Sequence, residues 1–251
     1  MESIVFVKRV PSTTTRVKVG GEGKSIDPTG VEFILNPYDE FAVEEALKQK
    51  EAAGAGSVSA VSFGTSDSQK ELRTVLAMGA DSATLLQSVE ASNADGMTTA
   101  RALAAAVEGK NFDLLLFGKQ AVDRDQHGVG PAVATLLGIP CITEVVKMDV
   151  ADGKVTCQRE VEGGVETVEA PLPCAITCQK GLNEPRYASL KGIMQAKKKP
   201  MDIVEVDAGS PAVEVLGMEL PAPRKAGRII GKGADAVPEL VEALRNEAKV
   251  L

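Results

Sequence analysis

Short apolar runs constrain the fold of this chain most strongly. Each is bounded by polar or turn residues, and they lie at residues 4–7, 58–63, 114–117 and, more weakly, 83–86. Runs of this length are typical of strands that are buried on both faces of a parallel sheet. The sequence therefore predicts a parallel sheet at the centre of the fold.

Amphipathic helical patterns alternate with these runs. Apolar side chains share one helical stripe, with charges opposite, over residues 40–51, 68–78 and 97–107. We expect Asp67 or Ser68 to cap the second helix and Gly79 to end it in the left-handed αL conformation. Because strand and helix alternate, the expected fold class is α/β with a doubly wound, mostly parallel sheet.

The pattern changes after Pro140. Residues 145–170 alternate around the turns Ala151-Asp152-Gly153 and Glu162-Gly163-Gly164, which predicts an antiparallel excursion of two hairpins. Residues 173–178 then have the composition of one more central strand.

The C-terminal part of the chain is different again. Residues 202–228 are rich in proline, glycine and acidic residues and show little periodicity, as expected of an extended arm, whereas residues 236–249 return to an amphipathic helical pattern. We therefore expect an α/β domain over residues 1–200 and an arm with a helix over residues 201–251.

Composition excludes several functional classes. The 251 residues carry a formal net charge of −7, only 3% are aromatic and none is tryptophan, so nucleic acid is not the expected partner. No run reaches the ~18 apolar residues of a membrane span and no signal peptide is apparent, so we expect a cytoplasmic protein. The four cysteines form no CxxC pair and His127 is the only histidine, which predicts free buried thiols and no metal site.

The segment LNEPRYASLKGIMQAKKKP, residues 182–200, joins a rigid turn to an apolar tip and a cationic end. Pro185 fixes its own φ and Asn183 can bond its own backbone, so we expect a defined turn. A helical stripe of apolar side chains follows, and then three lysines that suit the negative pole of a short helix. A docking device is one interpretation, and an ordinary loop with solvated charges is the other.

The loop after the third strong run is the richest candidate for a ligand site. Residues 118–130 leave a strand and enter a predicted helix over residues 131–137, at the sheet edge where open parallel sheets bind ligands. Its glycines allow backbone N–H groups to approach a phosphate, with Arg124 as a counter-charge. A plain connecting loop is the alternative.

Three further side chains of this loop have predicted contacts. Asp123 and Asp125 can accept hydrogen bonds from ribose hydroxyls or an adenine amino group. His127 has no obvious catalytic partner in the sequence, so we expect it to contact phosphate or solvent rather than to act as a base.

Several motifs together resemble one family. Residues 182–200 look like the signature segment of the β subunit of electron transfer flavoproteins, heterodimeric carriers that take electrons from acyl-CoA and other dehydrogenases. The same family is matched by VKRVP at residues 7–11, LNPYDEFAVEEAL at 35–47, AMGAD at 77–81 and, in part, LLLFGKQAVDRDQHGVGP at 114–131. These pieces keep the family's order and similar spacing across residues 1–200, whereas the remainder matches only in length and character.

The resemblance implies a Rossmann-like sheet of the adenine-nucleotide-binding type, an AMP in a mainly structural role, and a C-terminal arm that embraces the partner subunit. The implied cofactor-binding residues are Phe6, Asn36, Pro37, Tyr38, Asp39, Phe63, Ala121, Asp123, Arg124, Asp125, Gln126, His127, Gly128, Val129 and Gly130. It also implies that a dehydrogenase docks on Tyr187, Leu190, Ile193 and Met194, with Leu190 as the anchor.

The identity of the nucleotide stays open between AMP and a second FAD. AMP-binding members of the family usually carry an acidic cluster followed by Asn-Gln-Thr-Gly, whereas this chain has Arg124 and His127 in that stretch. The ending Val129-Gly130-Pro131 resembles members that bind a second FAD and bifurcate electrons. Phe41-Ala42 stands where those members tend to carry Gly-Gly, and this favours AMP.

Three functional hypotheses follow. The first is the β subunit of a heterodimer that takes electrons from acyl-CoA or related dehydrogenases, through an FAD held mainly by the α subunit, to a membrane-associated quinone reductase. In it the chain is part of a carrier rather than a catalyst. The second is a bifurcating subunit with a second FAD and NADH as donor. The third is a stand-alone adenine-nucleotide sensor or hydrolase, which the absence of a P-loop motif disfavours.

Overall fold

The computed structural model describes residues 1–224 and 226–251, so Lys225, within the predicted arm, lies outside the described residues. The strands are β1 Glu2–Phe6, β2 Arg9–Pro11, β3 Phe33–Leu35, β4 Ser57–Gly64, β5 Ser82–Gln87, β6 Leu114–Gly118, β7 Cys141–Ala151, β8 Lys154–Val161, β9 Gly164–Pro171, β10 Cys174–Cys178 and β11 Met201–Glu205. The helices are α1 Pro37–Ala53, α2 Gln69–Met78, α3 Gly96–Val107, α4 Val129–Leu137, α5 Leu190–Ala196 and α6 Val237–Glu242, and α6 continues into a π-helical turn, Ala243–Glu247.

Nine strands form one sheet in the order β11-β5-β4-β1-β6-β10-β7-β8-β9. Neighbours pair in parallel from β11 to β7, and β8 and β9 are antiparallel. Strands β2 and β3 form a separate antiparallel pair. The predicted α/β class and doubly wound, mostly parallel sheet are confirmed.

Each face of the sheet buries its own layer of helices. On one face, α1 and α2 pack against alternate strand residues such as Val5 and Leu116, and on the other face α3 and α4 pack against Ile4 and Leu115. Both faces of these central strands are therefore apolar, which is why the strands appear in the sequence as unbroken runs.

The predicted hairpins are present. The β7–β8 turn contains Asp152 and Gly153, both with positive φ (51° and 73°), as a tight two-residue hairpin turn requires. The β8–β9 turn contains Glu162 and Gly163, the latter at φ 82°. Strand β10, predicted as central, lies between β6 and β7, and the first half of β7 pairs with it before β7 extends into the hairpins.

The ends of α2 differ from expectation. A 3-10 turn, Ser66–Ser68, precedes this helix, and the side chain of Ser68 makes no capping hydrogen bond. Asp67 does not cap it either, since its carboxylate lies 3.8 Å from the guanidinium of Arg9. Gly79 does end the helix with a positive φ of 146°, which lies outside the αL region, and its N–H bonds to the carbonyl of Val75.

The region predicted as an arm begins with a strand. Met201–Glu205 forms β11, a short and largely exposed strand at the sheet edge, which pairs in parallel with β5. Two compact units are distinguished, Met1–Gly217 and Met218–Leu251. The division into a domain over residues 1–200 and an arm over residues 201–251 stays a prediction. The predicted helix over residues 236–249 is shorter, because it consists of α6 and its π-helical turn. Wrapping of the arm around a partner stays a prediction.

The cysteine thiols are free, and Cys157, Cys174 and Cys178 are buried. Burial raises the pKa of Cys157 and of Cys174 to about 12, so both thiols remain protonated and act as small apolar side chains. Among the described residues, no helix has the length and apolar character needed to cross a bilayer. The cytoplasmic location stays a prediction.

Candidate functional site

The loop predicted to bind a nucleotide, residues 118–130, is called the nucleotide loop, and it meets the N-terminus of α1 at the carboxyl edge of the sheet. A Cβ on Gly118, the last residue of β6, would lie 2.3 Å from Asp39 Oδ1 and 2.7 Å from the carbonyl carbon of Tyr38. The absence of a side chain at residue 118 therefore lets α1 approach the strand end. The N–H of Lys8, just after β1, donates to Asp39 Oδ2 at 2.7 Å.

Asn36 joins α1 to the nucleotide loop. Its buried amide donates from Nδ2 to Asp39 Oδ1 and to the Gln120 carbonyl, both at 2.8 Å. Its Oδ1 accepts from the N–H of Val122 at 3.1 Å. This amide satisfies one donor and two acceptors, so it fixes the loop where the chain leaves β6.

Asp39 is the buried acid of this region. Burial raises its pKa to about 7, and hydrogen bonds from Asn36 and from the N–H groups of Lys8 and Gly118 oppose the rise. Pro37 and Tyr38, the two predicted residues that precede Asp39 in α1, are half-buried. Pro37 occupies the first turn, and the Lys119 ammonium lies 5.3 Å from the centre of the Tyr38 ring.

Two charged residues of the loop are engaged by protein groups. Lys8 Nζ lies 2.7 Å from Asp123 Oδ2. The guanidinium of Arg124 donates from Nη1 to the Ala94 carbonyl at 2.7 Å and from Nη2 to the Ser92 carbonyl at 2.9 Å. Arg124 thus fastens the loop to the chain before α3, and its role as a phosphate counter-charge stays a prediction.

The backbone at the end of the loop suits an anion. Asp125 and His127 have positive φ (47° and 36°), and Gly128 is in the right-handed helical conformation just before α4 begins at Val129. A left-handed residue followed by a right-handed one turns successive N–H groups to one side, next to the positive end of the α4 dipole. The nearest acid to His127 is Glu144, at 3.6 Å from Nδ1, a neighbour that no sequence spacing indicates.

Aromatic rings lie beneath this edge. Phe6 stacks on Phe117 with ring centroids 4.4 Å apart, and Phe63 packs on the same cluster. A Cβ on Gly130 would lie 2.9 Å from Thr177 Cγ2 and 3.2 Å from Phe117 Cγ, so α4 begins in direct contact with the sheet. Since Phe6 is only 4% exposed, its side chain is part of the core.

The remaining predicted loop residues complete this arrangement. The carbonyl of Ala121 accepts from the N–H of Asp125 at 2.9 Å. A Cβ on Gly96, at the start of α3, would lie 2.9 Å from Gln126 Oε1 and 3.9 Å from Val129 Cγ2. The structure therefore brings the start of α3, the start of α4 and the end of β1 around one loop.

The docking segment, residues 182–200, presents its apolar residues to solvent. Ser189 Oγ accepts from the N–H of Gly192 at 3.0 Å and so caps α5. The four predicted docking residues are exposed to 98%, 83%, 47% and 71%, in the order Tyr187, Leu190, Ile193 and Met194. An exposed apolar group of this kind on a capped helix is typical of a protein-binding surface.

Carboxylates of α1 hold the turn of this segment. Asn183 Nδ2 donates to the Phe41 carbonyl and to Glu45 Oε2, both at 3.0 Å. This side chain therefore bonds to α1, whereas the sequence predicted a bond to its own backbone. Arg186 Nε donates to Glu44 Oε2 at 2.8 Å. Arg186 also donates to Glu51, and the hydrogen bonds to Glu44 and Glu51 together raise the pKa of the guanidinium.

Sequence comparison decides the family. A model described as the electron transfer flavoprotein domain matches residues 24–209. The chain is 40% identical over 260 residues to the electron transfer flavoprotein subunit beta of Bacillus subtilis (strain 168), with 100% of both chains covered. The chain belongs to the electron transfer flavoprotein β-subunit family.

Other members of the family are similar over nearly their whole length. Identity is 40% over 259 residues to the mitochondrial electron transfer flavoprotein subunit beta of Oryza sativa subsp. indica, with 100% of both chains covered. Identity is 37% over 251 residues to the subunit beta of Mus musculus, with 98% of both chains covered. The match therefore extends over the C-terminal region, where individual motifs gave no indication.

An adenine nucleotide, which the resemblance to electron transfer flavoprotein β subunits implies, fits the chemistry of the loop. Its phosphate suits the N–H groups between His127 and Val129, because positive φ and a helix start coincide there. Thr98 Oγ1, in the first turn of α3, is buried without a hydrogen-bond partner among the described residues. The loop thus offers backbone donors, and the adjoining helix offers an unused hydroxyl.

The site residues predicted from the sequence did not include the carboxylates of α1 that hold the docking segment. Glu44 and Glu45 are 5% and 2% exposed in α1. Their signal in the sequence was their position next to apolar residues on the inward face of the helix. Buried carboxylates need partners, and the partners here are 138 to 142 residues away along the chain.

Proposed function

We propose that this chain is the β subunit of a heterodimeric electron transfer flavoprotein. In this proposal, an α subunit holds most of one redox FAD, an acyl-CoA or related dehydrogenase reduces that flavin, and a membrane quinone reductase reoxidises it. The chain itself breaks no bonds. Its contribution is to support the flavin-binding partner and to present the docking segment. Identity over the full length of family members supports this role.

The surface of α5 is the observation on which the donor-docking role depends. Leu190 and Met194 are 83% and 71% exposed, while the turn before them is fixed to α1 through Arg186. An apolar side chain that is exposed yet held on a rigid support loses little conformational entropy on binding. Leu190 is therefore proposed as the anchor that enters an apolar pocket of the dehydrogenase.

The proposed occupant of the nucleotide loop is AMP in a structural role. The phosphate would contact the backbone from His127 to Val129, and Asp123 and Asp125 would accept from ribose or adenine groups. A second FAD is the competing occupant, since Val129-Gly130-Pro131 resembles bifurcating members. The two occupants imply different donors, because bifurcation requires NADH.

Nucleotide content tests the proposal directly. The chain is copurified with its α subunit, the complex is denatured, and the released nucleotides are separated by chromatography and quantified by absorbance. One FAD and one AMP per heterodimer is the expected result. Two FAD with reduction by NADH would support bifurcation, and a monomer that carries no nucleotide would contradict the heterodimeric carrier.

Leu190→Ala tests the docking surface. We expect the variant heterodimer to keep its flavin content but to accept electrons from an acyl-CoA dehydrogenase at least about tenfold less efficiently, since loss of a hot-spot leucine costs about 1.4 kcal/mol or more. The measurement is kcat/KM for the heterodimer as electron acceptor.

Val165→Ala is the control, because Val165 is also an exposed apolar residue, at 62%, but lies in β9, outside the docking segment and the predicted arm. We expect the control heterodimer to keep wild-type transfer from the dehydrogenase. Wild-type kcat/KM in Leu190→Ala would show that the docking assignment is wrong. Equal losses in both variants would show that exposed apolar side chains in general, rather than this anchor, affect transfer.

A further inference from the structure

The docking helix α5 packs tightly on the last turn of α2. A Cβ on Gly192 would lie 2.3 Å from the carbonyl oxygen of Ala77, so only glycine permits this approach. Ala196 is 3% exposed and belongs to the same apolar cluster as Ala77. One side of α5 is thus buried on α2, while Leu190 on the helix remains exposed.

A basic side chain from each of these two segments donates hydrogen bonds to the terminal carbonyls of the other segment. Lys199 Nζ donates to the carbonyls of Leu76 at 3.0 Å and Ala80 at 2.6 Å, at the end of α2. In return, Arg73 Nη1 from α2 donates to the carbonyls of Ala196 at 2.8 Å and Lys199 at 3.3 Å, at the end of α5. Terminal carbonyls have no partner within their own helix, and a cation there also complements the dipole.

The three consecutive lysines are therefore not equivalent. Lys197 and Lys198 are exposed, whereas Lys199 is half-buried and its ammonium is occupied by backbone carbonyls. Burial lowers the pKa of Lys199. The sequence presents a single charge run, but only the first two lysines direct their charge to solvent.

We propose that Arg73 and Lys199 are positioning residues for electron-donor docking, which hold α5 so that Leu190 is presented in one place. Within the lysine run, Lys197 and Lys198 attract the donor electrostatically, and Lys199 does not. This assignment rests on the proposed docking function. It adds that adjacent lysines have different roles in docking.

Steady-state kinetics distinguish positioning from attraction. The probe is an acyl-CoA dehydrogenase reduced by its acyl-CoA, and KM and kcat are measured for the heterodimer at several ionic strengths. Lys199→Met should raise KM about fivefold by loosening α5, with kcat and the dependence of kcat/KM on salt unchanged. Lys198→Met should weaken that salt dependence, because exposed charges act through screened, long-range attraction.

Two further variants serve as controls. Lys199→Arg keeps a cation that can reach the same carbonyls, so it should restore a KM close to wild type. Lys110→Met removes an exposed lysine in the turn after α3 and should leave both KM and its salt dependence unchanged. Amide hydrogen exchange supplies a readout without the donor, since Lys199→Met should speed exchange over Leu190–Ala196 while exchange in β1 and β6 stays as in wild type.

The outcomes separate this inference from the proposed function. If Leu190→Ala has a wild-type KM, the docking function itself is wrong. If Leu190→Ala raises KM but Lys199→Met does not, or if Lys199→Met changes the salt dependence as Lys198→Met does, positioning by Lys199 is wrong. Should Lys199→Met fail to assemble with the α subunit, Arg73→Met removes the cation that α2 supplies to the end of α5, and the same rise in KM is expected.

Discussion

Asn36→Ala should release the nucleotide loop from α1. The side chain of Asn36 makes three hydrogen bonds and is 1% exposed, so the substitution removes all three from a buried position. At about 1 kcal/mol for each bond, the free energy of unfolding should fall by about 3 kcal/mol. For a chain of this size, such a loss corresponds to a fall in Tm of roughly 6 to 12 °C.

Thermal unfolding of the copurified heterodimer, followed by circular dichroism, is the assay. Wild type and variant are compared at one protein concentration, because subunit association adds to apparent stability. Nucleotide retained after gel filtration is measured in the same samples. The control is Asn93→Ala, since Asn93 is exposed in the turn before α3 and its loss should change Tm little.

Two results would refute this reasoning in different ways. A Tm for Asn36→Ala equal to that of Asn93→Ala would mean that the three hydrogen bonds do not hold the loop. A lowered Tm with full nucleotide retention would mean that Asn36 stabilises α1 and β6 without shaping the nucleotide site.

Two further predictions concern the same edge of the sheet. Gly118→Ala places a Cβ 2.3 Å from Asp39 Oδ1 and should lower stability by about 1–3 kcal/mol in denaturant titrations, whereas Gly21→Ala, whose Cβ would meet nothing within 4 Å, should not. Burial raises the pKa of Asp39 from 3.8 to about 7, so the folded state binds this proton more tightly than the unfolded state, and the contribution of Asp39 to stability falls as pH rises from about 4 through about 7. Asp39→Asn should flatten the dependence of unfolding free energy on pH in that window, and an unchanged slope would assign it to another group.

The architecture was predictable because the sheet is buried on both faces. Runs such as residues 4–7 and 114–117 contain no polar residue, and this is typical of strands buried on both faces. Strand β11 escaped prediction because it is an edge strand, with Ile203 and Val204 48% and 44% exposed, and an edge strand needs no continuous apolar run. Its place depends on β5, which a local pattern cannot show.

The side-chain contacts of the nucleotide loop were predictable only in part. Glycines, acids and a following helix start can be recognised locally, but the partners of Arg124 and His127 lie on other elements. Arg124 therefore looked like a free counter-charge, although it donates to backbone carbonyls 30 and 32 residues away. Long-range pairing of this kind leaves no spacing signal in one sequence.

The family motifs, which are far apart along the chain, are in contact through α1 and α2. The motif at residues 35–47 supplies Asn36 and Asp39 to the nucleotide loop and Glu44 and Glu45 to the docking segment. The motif at residues 77–81 supplies carbonyls that meet the docking helix. Because one helix thus carries contacts to both predicted sites, a structural nucleotide in the loop would stabilise the same helix that supports the donor-docking surface. If the loop binds a redox-inactive nucleotide as proposed, that nucleotide would affect electron transfer through the order of α1 and not through chemistry of its own.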